Sequence, residues 1–533
     1  MLKASILDGR SRLWAAVALF AVLAAVLLRL AALDVPLDRD EGMYAYGAWR
    51  ALDGERLYVD VVDSKPPGIF AVYGLALALG GGTRAIHATL IAVTVLCALL
   101  IFRLTRKWYT TRAACIAAAL LALTQVAPAY FGFSANVEQY MALLIIAALL
   151  SLPRDEHDRQ PWRYVLCGAL IGAAALFKPV ALTEGLPILA LVWLAAGRTR
   201  QRLAGLALVG AGFGLTLALC LAYFACRGSA SELIYWALGY NVGYSSSIGL
   251  DQRWRILAYE ALSRGMLARD LPLLAVASIG AVTLLRRTDK KRAAAWFAPA
   301  WLLSAFIGVS ASGRYTPHYF QQLLPPLCML AAIGGDKLID ITAASGLGES
   351  YRRVSTCVIL LLLLVFPTAA QWPLYRLSGN ELSRTMFGLN PFVEGELVGA
   401  YLAENTDPEQ TVYVLGSEPQ FAYHARRRLA SSIAFTAPLI EQHPDSPRLR
   451  QRVLEQIERN QPRYVVRMRL PSSLVIRDDP SDWFIGKLES LLQTDYQREA
   501  ALLAEQGRQP RLVVGELPPV GRSPIVLDIY RRK

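Results

Sequence analysis

The sequence predicts a multi-pass α-helical membrane protein carrying a soluble α/β domain at its C-terminal end. Three observations carry that prediction. The chain of 533 residues is 54% hydrophobic and 18% charged, with a mean hydropathy of +0.35 and no low-complexity stretch. Its apolar residues gather into about eleven runs, each near the length a helix needs to cross a hydrocarbon core. Basic residues cluster in alternate connections between those runs, the pattern that sets orientation.

The runs cover residues 13–33, 85–104, 113–130, 137–152, 164–177, 180–196, 203–226, 271–285, 293–310, 319–335 and 354–370. With the N-terminus (Lys3, Arg10, Arg12) on the cytoplasmic side, every second connection carries positive charge. The clusters are Arg103 with Arg106, Lys107 and Arg112; Arg154 with Arg159 and Arg163; Arg198 with Arg200 and Arg202; residues 286–292; and Lys337 with Arg352 and Arg353. The alternation puts residues 34–69, the turns at Asn136, Lys178 and Arg314, the loop 227–270 and everything after Gln371 on the outer face. The first run is too long, and too well followed by further spans, to read as a cleaved signal peptide.

The net charge of +13 resides largely in these topology-setting clusters, which argues against nucleic acid as a partner. All seven cysteines lie in or beside the apolar runs and none follows Cys357, so the outer domain is expected to hold together without disulfides. The five histidines show no metal-ligand spacing.

After Gln371 the composition becomes that of a soluble domain, so the expected division is residues 1–370 in the membrane and 371–533 outside it. Residues 411–415 (TVYVL), 463–468 (RYVVRM), 512–514 and 525–529 read as strands; residues 447–460 and 482–493 have helical spacing. The turn Gly416-Ser417-Glu418-Pro419 lacks a dinucleotide-binding fingerprint.

The loop 34–69 departs from the rest. Asp38-Arg39-Asp40-Glu41-Gly42-Met43-Tyr44 and Asp63-Ser64-Lys65-Pro66-Pro67-Gly68 place paired carboxylates and one lysine at a membrane surface, where ordered charge costs solvation unless something compensates it. A structural reading exists for each piece. Asp40 and Glu41 suit the first turn of a helix with Asp38 as its cap. Lys65-Pro66-Pro67 suits a loop entering an interfacial helix, Glu138 a cap or snorkelling residue, and Lys178 a span terminus. Tyr44, with Tyr46 and Trp49, suits an interfacial aromatic belt, and Arg314, His318 and Tyr319 an interfacial anchor.

The run from Leu37 to Leu77 resembles the first outer loop of the GT-C superfamily of membrane glycosyltransferases. More narrowly, it resembles bacterial family 39 and the aminoarabinose transferase of lipid A, relatives of the protein O-mannosyltransferases. Asn136-Val137-Glu138 resembles the second acidic position, Phe177-Lys178-Pro179-Val180 the lysine-containing turn, and Arg314-Tyr315-Thr316-Pro317-His318-Tyr319 with Pro325-Pro326 the late outer motif.

The resemblance implies a GT-C fold and a transferase that moves a sugar from a polyprenyl phosphate to an acceptor: lipid A, another glycolipid, a glycan or a protein. It implies a cytoplasmic (inner) membrane location with the outer domain periplasmic or extracellular. The expected roles are Asp40, Glu41 and Glu138 as catalytic residues and Lys65, Arg255 (or its neighbour Arg253), Arg314 and Tyr319 at the donor phosphate. Tyr44, Lys178 and His318 are expected to bind substrate. No cofactor is required by these residues; some relatives use a divalent cation, and no metal ligand is assigned here. A carboxylate can take the acceptor proton, and a compact ammonium can neutralise charge growing on a departing phosphate. A transporter or flippase of a lipid-linked saccharide is the alternative, and it would call for charge inside the spans, broken helices near the midplane and internal repeats.

Overall fold

A helix occupies each of the eleven apolar runs in the computed structural model, which describes residues 9–153, 160–195, 198–246, 248–263, 266–286, 292–440, 443–474, 482–505, 508–519 and 525–533. Lys3, Arg154, Arg159 and residues 287–291 of the basic clusters lie outside these. Among the described residues, five helices are long and apolar enough to cross a bilayer unaided: Ser11–Ala31, Gly82–Trp108, Thr199–Cys226, Met266–Leu285 and Glu349–Ala369. Shorter ones, such as Thr111–Gln125 and Val137–Ser151, have 15 residues and reach only about 22 Å. Most of their residues are buried among neighbouring helices, which shield their ends from lipid. The chain is a multi-pass helical membrane protein.

Spans that cannot rely on a hydrophobic drive within lipid pack by close approach. A Cβ on Gly168 would lie 1.8 Å from Val209 O, and one on Gly212 would lie 1.9 Å from Val165 O, so helices Pro161–Ala175 and Thr199–Cys226 touch through backbone. Gly280 and Gly334 do the same for Met266–Leu285 against Leu324–Ala344. Gly212→Leu should therefore lower stability by about 1–3 kcal/mol, read as an earlier thermal melt in detergent, whereas leucine at Gly210, which faces open space, should leave the melt unchanged.

The buried Arg29 ties four elements together. It donates to Thr94 Oγ1 (3.2 Å), Gln125 O (3.1 Å), Gln139 Oε1 (2.5 Å) and Gly132 O. A charge so deep persists because its donors are occupied.

The C-terminal region carries, among the described residues, a six-stranded sheet: β1 (Thr411–Leu415), β2 (Arg428–Leu429), β3 (Tyr464–Met468), β4 (Tyr496–Leu503), β5 (Arg511–Val514) and β6 (Ile525–Arg532), in the order β2-β1-β3-β6-β4-β5. β1 runs parallel to β2 and β3, and the other pairs are antiparallel. Helices Ser446–Asn460 and Asp482–Asp495 cover the expected helical segments. β2 and β4 were not anticipated. β4 reads YQREAALL, a helix-favouring composition, yet it pairs with β6 on one side and β5 on the other, and that pairing overrides local propensity.

This region is fastened onto the loop 34–69. Val62 pairs with Ile433, and its N–H donates to Ser432 O at 2.9 Å. Arg452 reaches Val59 O, Tyr46 Oη accepts from the Leu429 N–H, and Arg428 pairs with Glu55. The loop is thus ordered from above by the sheet and from below by the spans.

Candidate active site

The acidic segment forms the start of helix Arg39–Leu52, and its first turn explains where each carboxylate points. Asp38 is the N-cap, with its side chain accepting from the Glu41 N–H at 3.0 Å, while Glu41 reaches back to the Asp38 N–H. This is a capping box, which satisfies backbone donors at a helix start. The structural reading of Asp38 therefore holds, and it also orients its neighbours. Glu41 is fully buried, accepts from the Ala135 N–H at 2.6 Å and lies 3.0 Å from His87 Nε2. Asp40, one residue earlier, turns the opposite way, into a cavity.

That cavity has a volume of about 820 Å³. Asp40, Asp63 and Lys65 of the loop 34–69 line it together with Lys178, Arg314 and Tyr319 from later turns. Two further walls come from elsewhere. Tyr240 and Asn241 belong to the loop after the span Thr199–Cys226, and Ser417, Phe435 and Ser472 belong to the C-terminal region.

Lys65 is placed by three contacts around its backbone. Its N–H donates to Asp63 Oδ1 at 2.8 Å, its carbonyl accepts from Tyr58 Oη at 2.9 Å, and Asn241 Nδ2 donates to the preceding Ser64 O at 2.8 Å. Pro66 and Pro67 then fix the chain into helix Gly68–Ala78. Lys178 reaches Glu138 Oε1 at 2.7 Å and sits 3.4 Å above the Tyr319 ring, a cation–π contact. Tyr319 and His318 lie on a tight helical turn, Pro317–Leu323.

Electrostatics separates the carboxylates. Burial would raise the Asp40 carboxyl, but the positive charge of Lys65, then His318, Arg39 and Lys178, outweighs it and holds the group below its usual range. Asp63 is pushed up to about 6 by burial, against the pull of Lys65. Asp38 is raised to about 8 by burial and by the charges of Glu41 and Asp40. Burial lowers Lys65, yet Tyr44, Asp40 and Asp63 keep its ammonium well above the ordinary lysine value. Burial holds His318 below the usual imidazole value. The cavity therefore presents an ionised aspartate beside a persistent cation.

Several expected site residues are brought together and others are not. Asp40, Lys65, Arg314, Lys178 and Tyr319 share the cavity. Glu138 sits behind Lys178, fully buried. His318 lies against Tyr319, their ring centroids 4.7 Å apart. Tyr44 packs edge-on against Phe70 and Tyr73, in the electrostatic neighbourhood of Lys65. Glu41 points into the protein and does not line the cavity. Arg255 is exposed, and it is Arg253 that lines the cavity, where it bonds the carbonyls of Ile248, Ser310 and Ala311. A helix turns side chains two apart by about 200°, which accounts for one arginine facing in and the other out.

Arg39 had no assigned role in the sequence. Its guanidinium bonds Ser417 O at 2.9 Å and Glu418 Oε1 at 2.7 Å, both in the turn after β1, and so it anchors the residue before Asp40 to the C-terminal sheet region. The only sequence signal was its position inside the acidic segment. Removing the fully buried Glu418 leaves that cation uncompensated. Glu418→Ala should cost about 2 kcal/mol of stability and lower turnover, and Glu418→Gln should lose less; thermal melts and initial rates check both.

Comparison with known proteins follows the same lines. Residues 64–225 match the family model described as dolichyl-phosphate-mannose-protein mannosyltransferase. No curated protein matches the chain in sequence. Among solved structures, ArnT of Cupriavidus metallidurans bound to undecaprenyl phosphate is 17% identical, with a TM-score of 0.61 over 90% of this chain and 95% of that one. The oligosaccharyltransferase AglB of Archaeoglobus fulgidus, in complex with an inhibitory peptide and a dolichol-phosphate, is 13% identical, with a TM-score of 0.53 over 95% of this chain and 75% of that one. The chain has the GT-C fold.

Proposed function

We propose that this protein, built on the GT-C fold, is an integral membrane glycosyltransferase. It takes a sugar from a polyprenyl-phosphate carrier and passes it to an acceptor on the outer face of the cytoplasmic membrane. One observation carries the reading: Asp40 and Lys65, from a single outer loop, line one cavity at the level where spans meet the outer domain. The match of residues 64–225 to a family of dolichyl-phosphate-mannose-dependent transferases and the lipid phosphates bound by two structural relatives support it.

The chemistry balances with the groups present. The acceptor oxygen attacks the anomeric carbon, its proton passes to the Asp40 carboxylate, and the bond from that carbon to the lipid phosphate oxygen breaks. The departing phosphate takes the electron pair, and Lys65 neutralises it, with Arg314 and Tyr319 beside it. Displacement from the opposite face inverts the anomeric centre, as the GT-C likeness implies. Glu138 acts through Lys178, holding that ammonium over Tyr319. Glu41 supports the helix start that aims Asp40. The outer domain, through Ser417, Phe435 and Ser472, bounds the side from which an acceptor approaches.

Lipid A, another glycolipid, a glycan and a protein hydroxyl all fit this chemistry. The N-terminus is assigned to the cytoplasm and the C-terminal domain to the periplasm or cell exterior by the basic connections. Membranes containing the protein, incubated with labelled undecaprenyl-phosphate sugars and followed by mass analysis of the acceptors, test the proposal. Label that stays on the lipid carrier with every sugar offered would sink it.

A further inference from the structure

The cavity wall holds a second carboxylate to which the mechanism assigns no task. Asp63 is 7% exposed. Its Oδ1 accepts the Lys65 N–H and closes the turn that presents the ammonium group. Its Oδ2 is also buried, has no hydrogen-bond partner among the described residues, and belongs to a side chain that lines the cavity. A carboxylate oxygen taken from water and left without a donor is unfavourable unless a ligand supplies one. Tyr44 Oη, His318 Nδ1 and Glu138 Oε2 are likewise buried without partners, and they come from three other elements.

On the reading above, we infer that Asp63 is a donor-sugar-binding residue, its Oδ2 accepting a hydrogen bond from a ring hydroxyl of the sugar whose lipid phosphate Lys65 holds. The two ligand parts are joined through a single oxygen, and Asp63 and Lys65 line the same cavity, so the sugar of a lipid whose phosphate Lys65 holds falls within the space that Asp63 borders. An ionised carboxylate only accepts, so it selects for a hydroxyl donor and repels a second phosphate. Burial sets its titration near pH 6, so the sugar contact weakens as pH falls through that value and the acceptor becomes protonated.

Asp63→Asn separates this role from support of the lysine turn, because the asparagine carbonyl still accepts the Lys65 N–H while its amide replaces Oδ2. Binding to the full-length protein is measured for undecaprenyl phosphate and for the same lipid carrying mannose, glucose, galactose or arabinofuranose. The expected result is undiminished affinity for the bare lipid phosphate and a loss of about tenfold or more for the best sugar-bearing lipid. Wild type should also lose its preference for that lipid over the bare one below pH 6. Asp63→Ala, lacking both oxygens, should weaken binding of both.

If Asp63→Asn weakens both lipids equally, Asp63 only shapes the turn and the inference is overturned. It is also overturned if neither affinity changes, or if no sugar improves on bare lipid phosphate in the wild type. Failure of the wild type to bind any of these lipids would instead overturn the transferase reading on which this rests.

Discussion

Asp40→Asn abolishes sugar transfer while leaving the protein folded and inserted, with an expected loss of about 10²- to 10⁴-fold in turnover. The substitution keeps shape and volume but removes the carboxylate assigned to take the acceptor proton, and it leaves Asp63, the other carboxylate lining the cavity, in place. Asp40 makes no contact on which the helix start depends: Asp38 and Glu41 form the capping box, and Glu41 carries the link to Ala135 and His87. The variant should melt like wild type and bind undecaprenyl phosphate at least as well, since one negative charge near the phosphate is gone. Because cations hold Asp40 below the usual carboxylate range, it stays ionised as pH falls through that range. An acid limb near pH 6 would therefore not report the base, and it falls where burial places Asp63. Normal turnover by Asp40→Asn would falsify the catalytic assignment.

Lys65→Met is the second large effect. Methionine preserves the apolar stem and the backbone bonds to Asp63 and Tyr58, which use the Lys65 main chain alone. What it removes is the cation that stabilises both Asp40 and the leaving phosphate. A loss of about 10²- to 10³-fold in turnover is expected, the range for deleting one preorganised stabiliser of developing charge. Affinity for undecaprenyl phosphate should fall as well, which separates this variant from Asp40→Asn. Asp40 should titrate higher once its strongest opposing charge is absent. Lys65→Arg should rescue poorly, because a planar fork does not fit where a point charge is enclosed by fixed turns. Wild-type rates and lipid affinity in Lys65→Met would remove Lys65 from the phosphate site.

Much of the fold was legible in the chain. All eleven apolar runs are helical, because burial in hydrocarbon leaves the backbone no other way to satisfy its polar groups. Strands β1, β3, β5 and β6 were legible as short apolar runs flanked by breakers. Helix Gly68–Ala78 was less so, being too short to span and fused in composition to the loop before it. The π-helical stretches Tyr235–Tyr240 and Tyr259–Ser263 in the long outer loop have no sequence signature of their own.

The site divides in the same way. Residue chemistry determined by itself that the loop 34–69 mixes carboxylates, a lysine and prolines at a membrane surface, since such charge is costly there without a purpose. It singled out Asp40 as the base and turned Glu41 elsewhere, because adjacent side chains on a regular backbone diverge, but it could not say what holds each in place. That depended on the capping box at Asp38, which commits Glu41 inward and Asp40 outward. Nor could it show that Arg253 and not Arg255 turns inward, that Asn241 pins Ser64, or that Arg39 docks on Glu418 almost 380 positions along the chain. Composition and hydropathy act locally and can be read along the sequence. The direction of a side chain, and the partner that satisfies a buried charge, are settled only when distant segments compete for the same space.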